Sequence, residues 1–347
     1  MISIFHSRPR HLADHIRNAI AKGELSEPLP GIRAWSKSFG VSSRTLQVAL
    51  KMLQREGLLV IQPRKAIRLK QARRLARKNG NGVKPIVRAL YYGREYPKWA
   101  FPSLPILTEQ LKSHGVEMTT ERCTHARLKA ISQNPLPHEL LLLCSVPAAY
   151  HRYFADMPRN VLIAGHPSPG SPLSSITTDL EGAVRHAARS LMRRGFSEIS
   201  LIIDRGKSHG VVEVIEVFHK TCTEWSHQPI HANTVQISTD LDAMLVSARR
   251  FAARVKTRRG ILVIEPISVS LILTALLERG IAIPRDAEII GLSTSPDSIK
   301  VCPRPIHYPY PVMATVRSLM DTVLRFFEKG ALPRIQKKIL MEVVPSV

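Results

Sequence analysis

Cysteine is scarce in this 347-residue chain: Cys123, Cys144, Cys222 and Cys302 are far apart and form no CxxC pair. That spacing argues against a zinc framework or a disulfide scaffold and fits a reducing compartment. The opening residues, MISIFHSRPRHLAD, lack the apolar run of a secretory signal. The most apolar long stretch, 261–277, is interrupted by Glu265 and Pro266 and is too short to span a bilayer. A cytoplasmic protein with no membrane partner is expected. Catalytic signatures are missing as well: no HExxH, no GxSxG, and no GxGxxG after a strand-like run. DRGKSHG (204–210) has Leu201 where a phosphate-binding loop needs its first glycine. The reading is a protein that is not an enzyme and carries no cofactor or bound metal.

Acidic residues are also short. There are 27 Asp+Glu against 50 Lys+Arg, a net charge of +23. Such a balance favours polyanionic partners, chiefly nucleic acid. The excess is uneven. Residues 1–88 hold 19 Lys+Arg against 4 Asp+Glu, so the first quarter of the chain carries most of the positive field.

What is present there is a patterned helix. In FGVSSRTLQVALKMLQREGLL (39–59), Leu46, Ala49, Leu50 and Leu53 recur at i, i+3, i+4, i+7, the spacing of a buried stripe. Ser43, Arg44, Gln47, Lys51, Gln54 and Arg55 fall on the opposite face, with no acidic residue before Glu56. Ser42 suits the N-cap and Gly57 the stop. Alone, this pattern also fits an ordinary surface helix with a solvated polar face. Its neighbours decide. A first helix is expected over 9–22, with Leu12, Ile16, Ala19 and Ile20 on one face, and a second over 32–39. Gly40 sits in a tight turn, and two short strands flank Pro63-Arg64-Lys65. Three helices and a basic hairpin describe a winged helix-turn-helix over 1–70.

In such a module the recognition helix enters the major groove and reads base edges. Arg44 and Gln47 are placed to read bases, and Ser43 and Thr45 to meet a base or phosphate. Val48 is an apolar residue within the polar face, as contact with a thymine methyl would require. Lys51, one turn on, and Arg33, at the start of the second helix, suit phosphate. Arg64, Lys65 and Arg68 put three cations on or beside the wing. The segment 71–85, KQARRLARKNGNGVKP from Lys70 on, reads as a basic, then Gly/Asn-rich linker. A short helix over 71–78 that touches DNA is the alternative.

The segment IRNAIAKGELSEPLPGIRAWSKSFGVSSRTLQVALKMLQREGLL resembles the GntR-type winged-helix domain. The shared features are AIxxGEL, LP with Arg33 three residues after Pro30, FGVSSRT and ALxxLxxEGLL. The resemblance implies DNA contacts from Arg33, Ser43, Arg44, Thr45 and Gln47. The family's wing usually carries glycines. QPRKAIRL (62–69) has none, so here side chains rather than backbone would make any wing contact.

From residue 86 strand-like and helix-like runs alternate. IVRALYY, VEMTTE, ELLLLCSV, NVLIAG, EISLIID, NTVQIS, GILVIE and AEIIGLS read as strands. Helices are expected between most of them, at 103–114, 125–132, 147–156, 180–195, 210–224, 240–256 and 268–280. A last helix carries a stripe of Val316, Leu319, Met320, Val323, Leu324 and Phe327. This alternation predicts an α/β, doubly wound parallel fold with too many units for one lobe, hence two lobes over 86–347. Its second half resembles the LacI-type regulatory domain, which is similar to periplasmic sugar-binding proteins. The resemblance rests on TTDLEGAVRHAARSLMRRGFSEISLII and on GILVIEPISVSLILTALLERGIAIPRDAEIIGLS, through Ala275, Leu276, Gly280, Pro284, Asp286 and Gly291. PYPVMATVRSLMDTVLRFFEKG resembles the helix after the last crossover.

Two departures stand out. The family's sugar-binding Asp falls on Pro266, with Glu265 before it, and its sugar-gripping Arg falls on Val214. A desolvated sugar hydroxyl left unpaired costs about 1–3 kcal/mol. Tyr92, Trp99, Asp179 and Glu265 remain as candidates to line an interlobe cleft. Asp179 equally suits a helix N-cap, and the aromatics suit core or rim. The combined expectation is a transcriptional regulator, most often a repressor in such arrangements. It would bind a pseudo-palindromic duplex operator as a homodimer and answer to a small molecule, a sugar or sugar derivative. The alternative is a ligand-independent DNA binder whose α/β domain only dimerises.

Overall fold

The computed structural model of the chain describes residues 9, 12–13, 15–16, 19, 25, 29–55, 59–61, 67–69, 85–92, 103–134, 136, 138–205, 209–238, 240–264, 267–294 and 301–345. The chain divides into two compact units, Met1–Arg77 and Lys78–Val347.

In the first unit, helices run over Ile32–Ser38 and Ser43–Arg55, and the described residues between 9 and 19 are helical. Gly40 turns the chain at φ +61°, a conformation that disfavours a side chain, and Val41 N–H donates to Ser36 O at 3.0 Å. Ser42 caps the second helix: its Oγ accepts from Thr45 N–H at 3.0 Å. Leu46, Ala49, Leu50 and Leu53 are all buried, as their spacing predicts, against Leu12, Ala13, Ile16 and Trp35. Strands β1 (Leu59–Val60) and β2 (Arg68–Leu69) pair antiparallel, Leu59 opposite Leu69, and form the base of the wing. The expected tip, with Arg64 and Lys65, lies outside the described residues. So do residues 71–84 of the expected linker 71–85, and with them its alternative helix.

The second unit contains two sheets in which every strand pairing is parallel. One lobe has the order β13-β7-β6-β5-β3-β4 and the other β12-β11-β10-β8-β9. The first-lobe strands are β3 (Ile86–Tyr92), β4 (Glu117–Cys123), β5 (Glu139–Cys144), β6 (Val161–Ala164), β7 (Ser174–Thr178) and β13 (Gln336–Ile339). The second lobe holds β8 (Glu198–Asp204), β9 (His231–Ile237), β10 (Arg259–Ile264), β11 (Ala287–Thr294) and β12 (Ile306–Pro309). In β10 the alternation sends Leu262 and Ile264 to one face, against the helices Leu180–Arg193 and His209–Thr223. Ile261 and Val263 go to the other, against Leu241–Ala252 and Val269–Leu277. That two-sided burial is what makes parallel strands read as continuous apolar runs. ELLLLC in β5 is buried throughout, including Glu139, whose carboxylate takes a two-pronged hydrogen bond from Arg88 (2.7 and 2.5 Å).

Eight of the expected strands are found, with ends shifted by a few residues. β7, β12 and β13 were not expected. SSITT is apolar only at Ile176, IHYP contains a proline, and QKKI is a mostly exposed edge strand. The expected helix 147–156 is shorter and divided, Ala148–His151 followed by a 3-10 turn Arg152–Phe154. In the last helix, Val312–Lys329, Val316, Leu319 and Val323 are buried as expected, but Phe326 takes the place of Phe327, and Met320, Leu324 and Phe327 are only half-buried. Thr315, Ser318 and Thr322 are buried beside that stripe.

The chain passes between the lobes three times. It leaves β7 at Asp179 for the helix Leu180–Arg193. It returns after β12 to the helix Val312–Lys329, which packs on Ser103–Ser113 and β7. It passes again after β13, where Val344 bridges His307 of β12.

Cys123, Cys144 and Cys222 are buried, and Cys302 is exposed. Burial pushes the Cys123 and Cys222 thiols up to about 11 and that of Cys144 up to about 12. A thiol reagent applied to the native chain at neutral pH is therefore expected to modify Cys302 alone, and all four after denaturation. Rapid native labelling at a second cysteine would contradict this burial. Leu50→Ala, which empties a site 1% exposed, is expected to cost about 2–5 kcal/mol, read as a lower urea midpoint.

Candidate functional site

The polar face of Ser43–Arg55 divides into residues that hold the helix and residues that face outward. Ser43 Oγ lies 3.2 Å from Ser36 Oγ and ties this helix to the one before it. Thr45 Oγ1 lies 2.8 Å from Ser42 Oγ, within the cap. Arg44, Gln47, Val48 and Lys51 are exposed, and Val48 keeps 43% of its surface open. Arg33, in the first turn of Ile32–Ser38, is exposed too. Gln54 is engaged with the base of the wing, donating to Ile61 O at 3.4 Å. The first unit thus brings Arg44, Gln47, Val48 and Lys51 onto one exposed face of one rigid helix. Of the wing cations, Arg68 lies in β2, and nothing is described of its side chain.

In the second unit the four cleft candidates separate. Trp99 and Glu265 lie outside the described residues. Tyr92 is half-buried at the end of β3, with its ring 5.0 Å from that of Tyr150 and its hydroxyl 3.3 Å from the Tyr150 hydroxyl. Asp179 caps the helix Leu180–Arg193: its Oδ1 accepts from Gly182 N–H at 3.0 Å, and its own N–H donates to Ile339 O at 2.8 Å. A Cβ at Gly182 would crowd the Asp179 carboxylate, so a side chain there would push the carboxylate from its capping position. Both residues therefore make contacts within the domain.

Ligands of open α/β folds meet the carboxyl ends of the strands. In the first lobe the segment after β6 turns at Gly165, φ +145°, and presents His166. His166 Nδ1 lies 3.4 Å from Glu213 Oε2, on the second lobe's helix His209–Thr223. Val214, where the resembled family has its sugar-gripping Arg, is fully buried in the second lobe's core. At the lobe boundary this helix offers Glu213, one residue earlier. Nothing in the sequence pattern points to the His166–Glu213 contact. The two residues are 47 positions apart, and neither belongs to a motif.

His151 steadies this segment from below. It is buried, its Nε2 lies 3.0 Å from Val146 O, and its Nδ1 accepts from Ser168 N–H at 3.3 Å. Those partners select the neutral ring with its proton on Nε2. Burial holds its pKa below the ordinary histidine value, although the carbonyl works the other way.

Residues 9–69 match the family described as bacterial regulatory proteins, gntR family. None of the curated proteins matches the sequence. Among solved structures, the chain is similar to a lac repressor dimer bound to operator and the anti-inducer ONPF. The TM-score is 0.63 at 15% identity, covering 79% of this chain and 96% of that one. It is also similar to a probable maltose operon transcriptional repressor from Staphylococcus aureus, with TM-score 0.61, 16% identity and coverages of 75% and 96%. A third is a LacI family transcriptional regulator from Arthrobacter sp. FB24 in complex with lactose, with TM-score 0.61, 13% identity and coverages of 75% and 98%. At these identities the likeness establishes the fold. No helix among the described residues is long and apolar enough to cross a membrane.

The burial of His151 sets a pH dependence. Its unfolded pKa is about 6.5, so below that pH the unfolded chain takes up a proton the folded one resists. The stability it contributes is complete above about pH 6.5 and is lost as pH falls. The wild-type melting temperature is expected to drop more steeply from pH 7.5 to pH 5 than that of His151→Gln. Equal slopes would show that His151 does not govern the loss.

Proposed function

Taking residues 9–69 as a gntR-family domain, joined to an α/β unit with the fold of LacI-type regulators, we propose that this chain is a cytoplasmic, sequence-specific DNA-binding transcriptional regulator. The carrying observation is the exposed face of Ser43–Arg55, in which Arg44, Gln47, Val48 and Lys51 stand together on a helix whose other face is locked in the core. Arg44 and Gln47 read base edges, Val48 meets a thymine methyl, and Lys51 and Arg33 hold phosphate. Ser43 and Thr45 fix the helix start and lie close enough to contact the backbone. Arg64, Lys65 and Arg68 supply the wing's charge. The chain acts as a homodimer on a pseudo-palindromic operator and represses by occupying it. It is not a catalyst.

The α/β unit is the sensor. Its two parallel lobes, with the chain passing between them three times, suit a small molecule held at their boundary and a change in lobe closure on binding. A carbohydrate or sugar derivative is the effector class that the lactose-bound neighbour supports. The burial of Val214 supports a different polar contact set from the usual one. It also favours a second reading, in which this unit only dimerises.

Two measurements test these readings on the full chain. If about 6 phosphates are neutralised, log K for duplex DNA falls with log salt at a slope near −5. Arg33→Ala should weaken binding on all sequences and reduce that slope by about 1, whereas Arg44→Ala should relax sequence preference. A salt-independent interaction would contradict the reading. Thermal unfolding against sugars, sugar acids and sugar phosphates tests the sensor: a ligand at about 100 times its Kd adds roughly 2.7 kcal/mol. No shift across the panel would leave the dimerisation reading in its place.

A further inference from the structure

The lobe boundary gathers three metal-capable side chains from three separate segments. His166 comes from the loop after β6 in the first lobe. Glu181 comes from the first turn of Leu180–Arg193, and Glu213 from His209–Thr223, both in the second lobe. One ligating atom from each lies within 4.8 Å of the other two. All three side chains are largely withdrawn from solvent: His166 is 21% exposed, Glu181 17% and Glu213 33%.

The surroundings hold the imidazole close to the helix that carries Glu213. A Cβ at Gly210 would lie 2.9 Å from His166 Cδ2, so the glycine lets the imidazole reach the helix that carries Glu213. Gly165, at φ +145°, turns the chain immediately before His166. Lys338 of β13 places its Nζ 2.9 Å from both oxygens of Glu181. An ammonium group already holds this carboxylate, so an incoming ion must displace Lys338 from at least one of the two oxygens. One imidazole and two carboxylates form a mixed nitrogen and oxygen set without thiolate. That set suits a first-row divalent ion such as Zn²⁺, with water in the open position. Zinc takes such ligands at about 2.0–2.2 Å, so donors around it sit roughly 3.3–3.6 Å apart. His166 Nδ1 and Glu213 Oε2 are already at 3.4 Å.

We propose that His166, Glu181 and Glu213 form a binding site for a divalent transition-metal ion that clasps the two lobes. The ion bonds His166 on one side of the boundary and the two glutamates on the other. It therefore favours the closed arrangement by its differential affinity for it. This holds whether or not the unit also takes a carbohydrate.

The test uses the full chain, freed of metal by chelation and titrated with Zn²⁺ by calorimetry and with Co²⁺ by visible absorption. The expected result is a saturable site with one ion per chain and a rise in melting temperature with Zn²⁺. The Co²⁺ spectrum should show d–d bands without thiolate charge transfer. His166→Ala and Glu213→Gln should each weaken binding about tenfold or more and remove the thermal shift. Glu213→Gln keeps the side chain's shape, so its metal-free melting temperature serves as the control for folding. Three results would overturn the proposal: no saturable binding, unchanged affinity in His166→Ala, or a thiolate signature that moves the ion to Cys302.

Discussion

The fold depends on one constraint, the parallel pairing of β13 with β7. Parallel neighbours cannot be joined by a tight turn, so each strand must return through a crossover. In this chain the stretch between β7 and β13 contains the entire second lobe's sheet. The first lobe is therefore complete only when residues 336–339 come back to pair with Ser175 through Thr178. Asp179 stands where β7 ends. Its side chain caps the first helix of the second lobe, and its N–H is held by Ile339 of the returning strand. Two of the three passages between lobes are thereby tied together at one residue, and Lys338 and Glu181 add an ion pair beside it.

This placement decides what the lobe boundary can do. The segments that emerge near the passages, with Glu181, His166 and Glu213, belong to different lobes yet stand within reach of each other. A change in lobe closure alters the distance of His166, in the first lobe, from the two glutamates of the second. A ligand that prefers one spacing then shifts the closure equilibrium by as much as its affinities for the two states differ. The aromatic pair Tyr92 and Tyr150 and the capping Asp179 spend their polar groups inside the domain.

The sequence made the helix Ser43–Arg55 legible because everything that defines it is local. The stripe of Leu46, Ala49, Leu50 and Leu53, the cap at Ser42 and the turn at Gly40 lie within 14 residues of one another, and each has the expected place. The central strands were legible because two-sided burial demands unbroken apolar runs such as ELLLLC and GILVI. The passage strands were not. Ser174 and Ser175 are buried against partners far along the chain: Ser174 Oγ donates to Pro333 O at 2.7 Å, 159 residues away, and Ser175 N–H donates to Ile335 O at 2.8 Å. QKKI is charged because it lies at an edge, where lysines blunt further pairing. The His166–Glu213 contact was illegible for the same reason: it exists only after both lobes are in place.

If the face carrying Arg44, Gln47, Val48 and Lys51 reads a specific duplex, selection of full-length protein against a pool of random duplex DNA will show it most directly. The expected result is enrichment of one motif made of two inverted half-sites, their centres about 10–10.5 base pairs or a multiple apart. A pool that stays random through repeated rounds, while still binding the protein, would contradict that reading and reduce the positive charge to a non-specific hold on DNA.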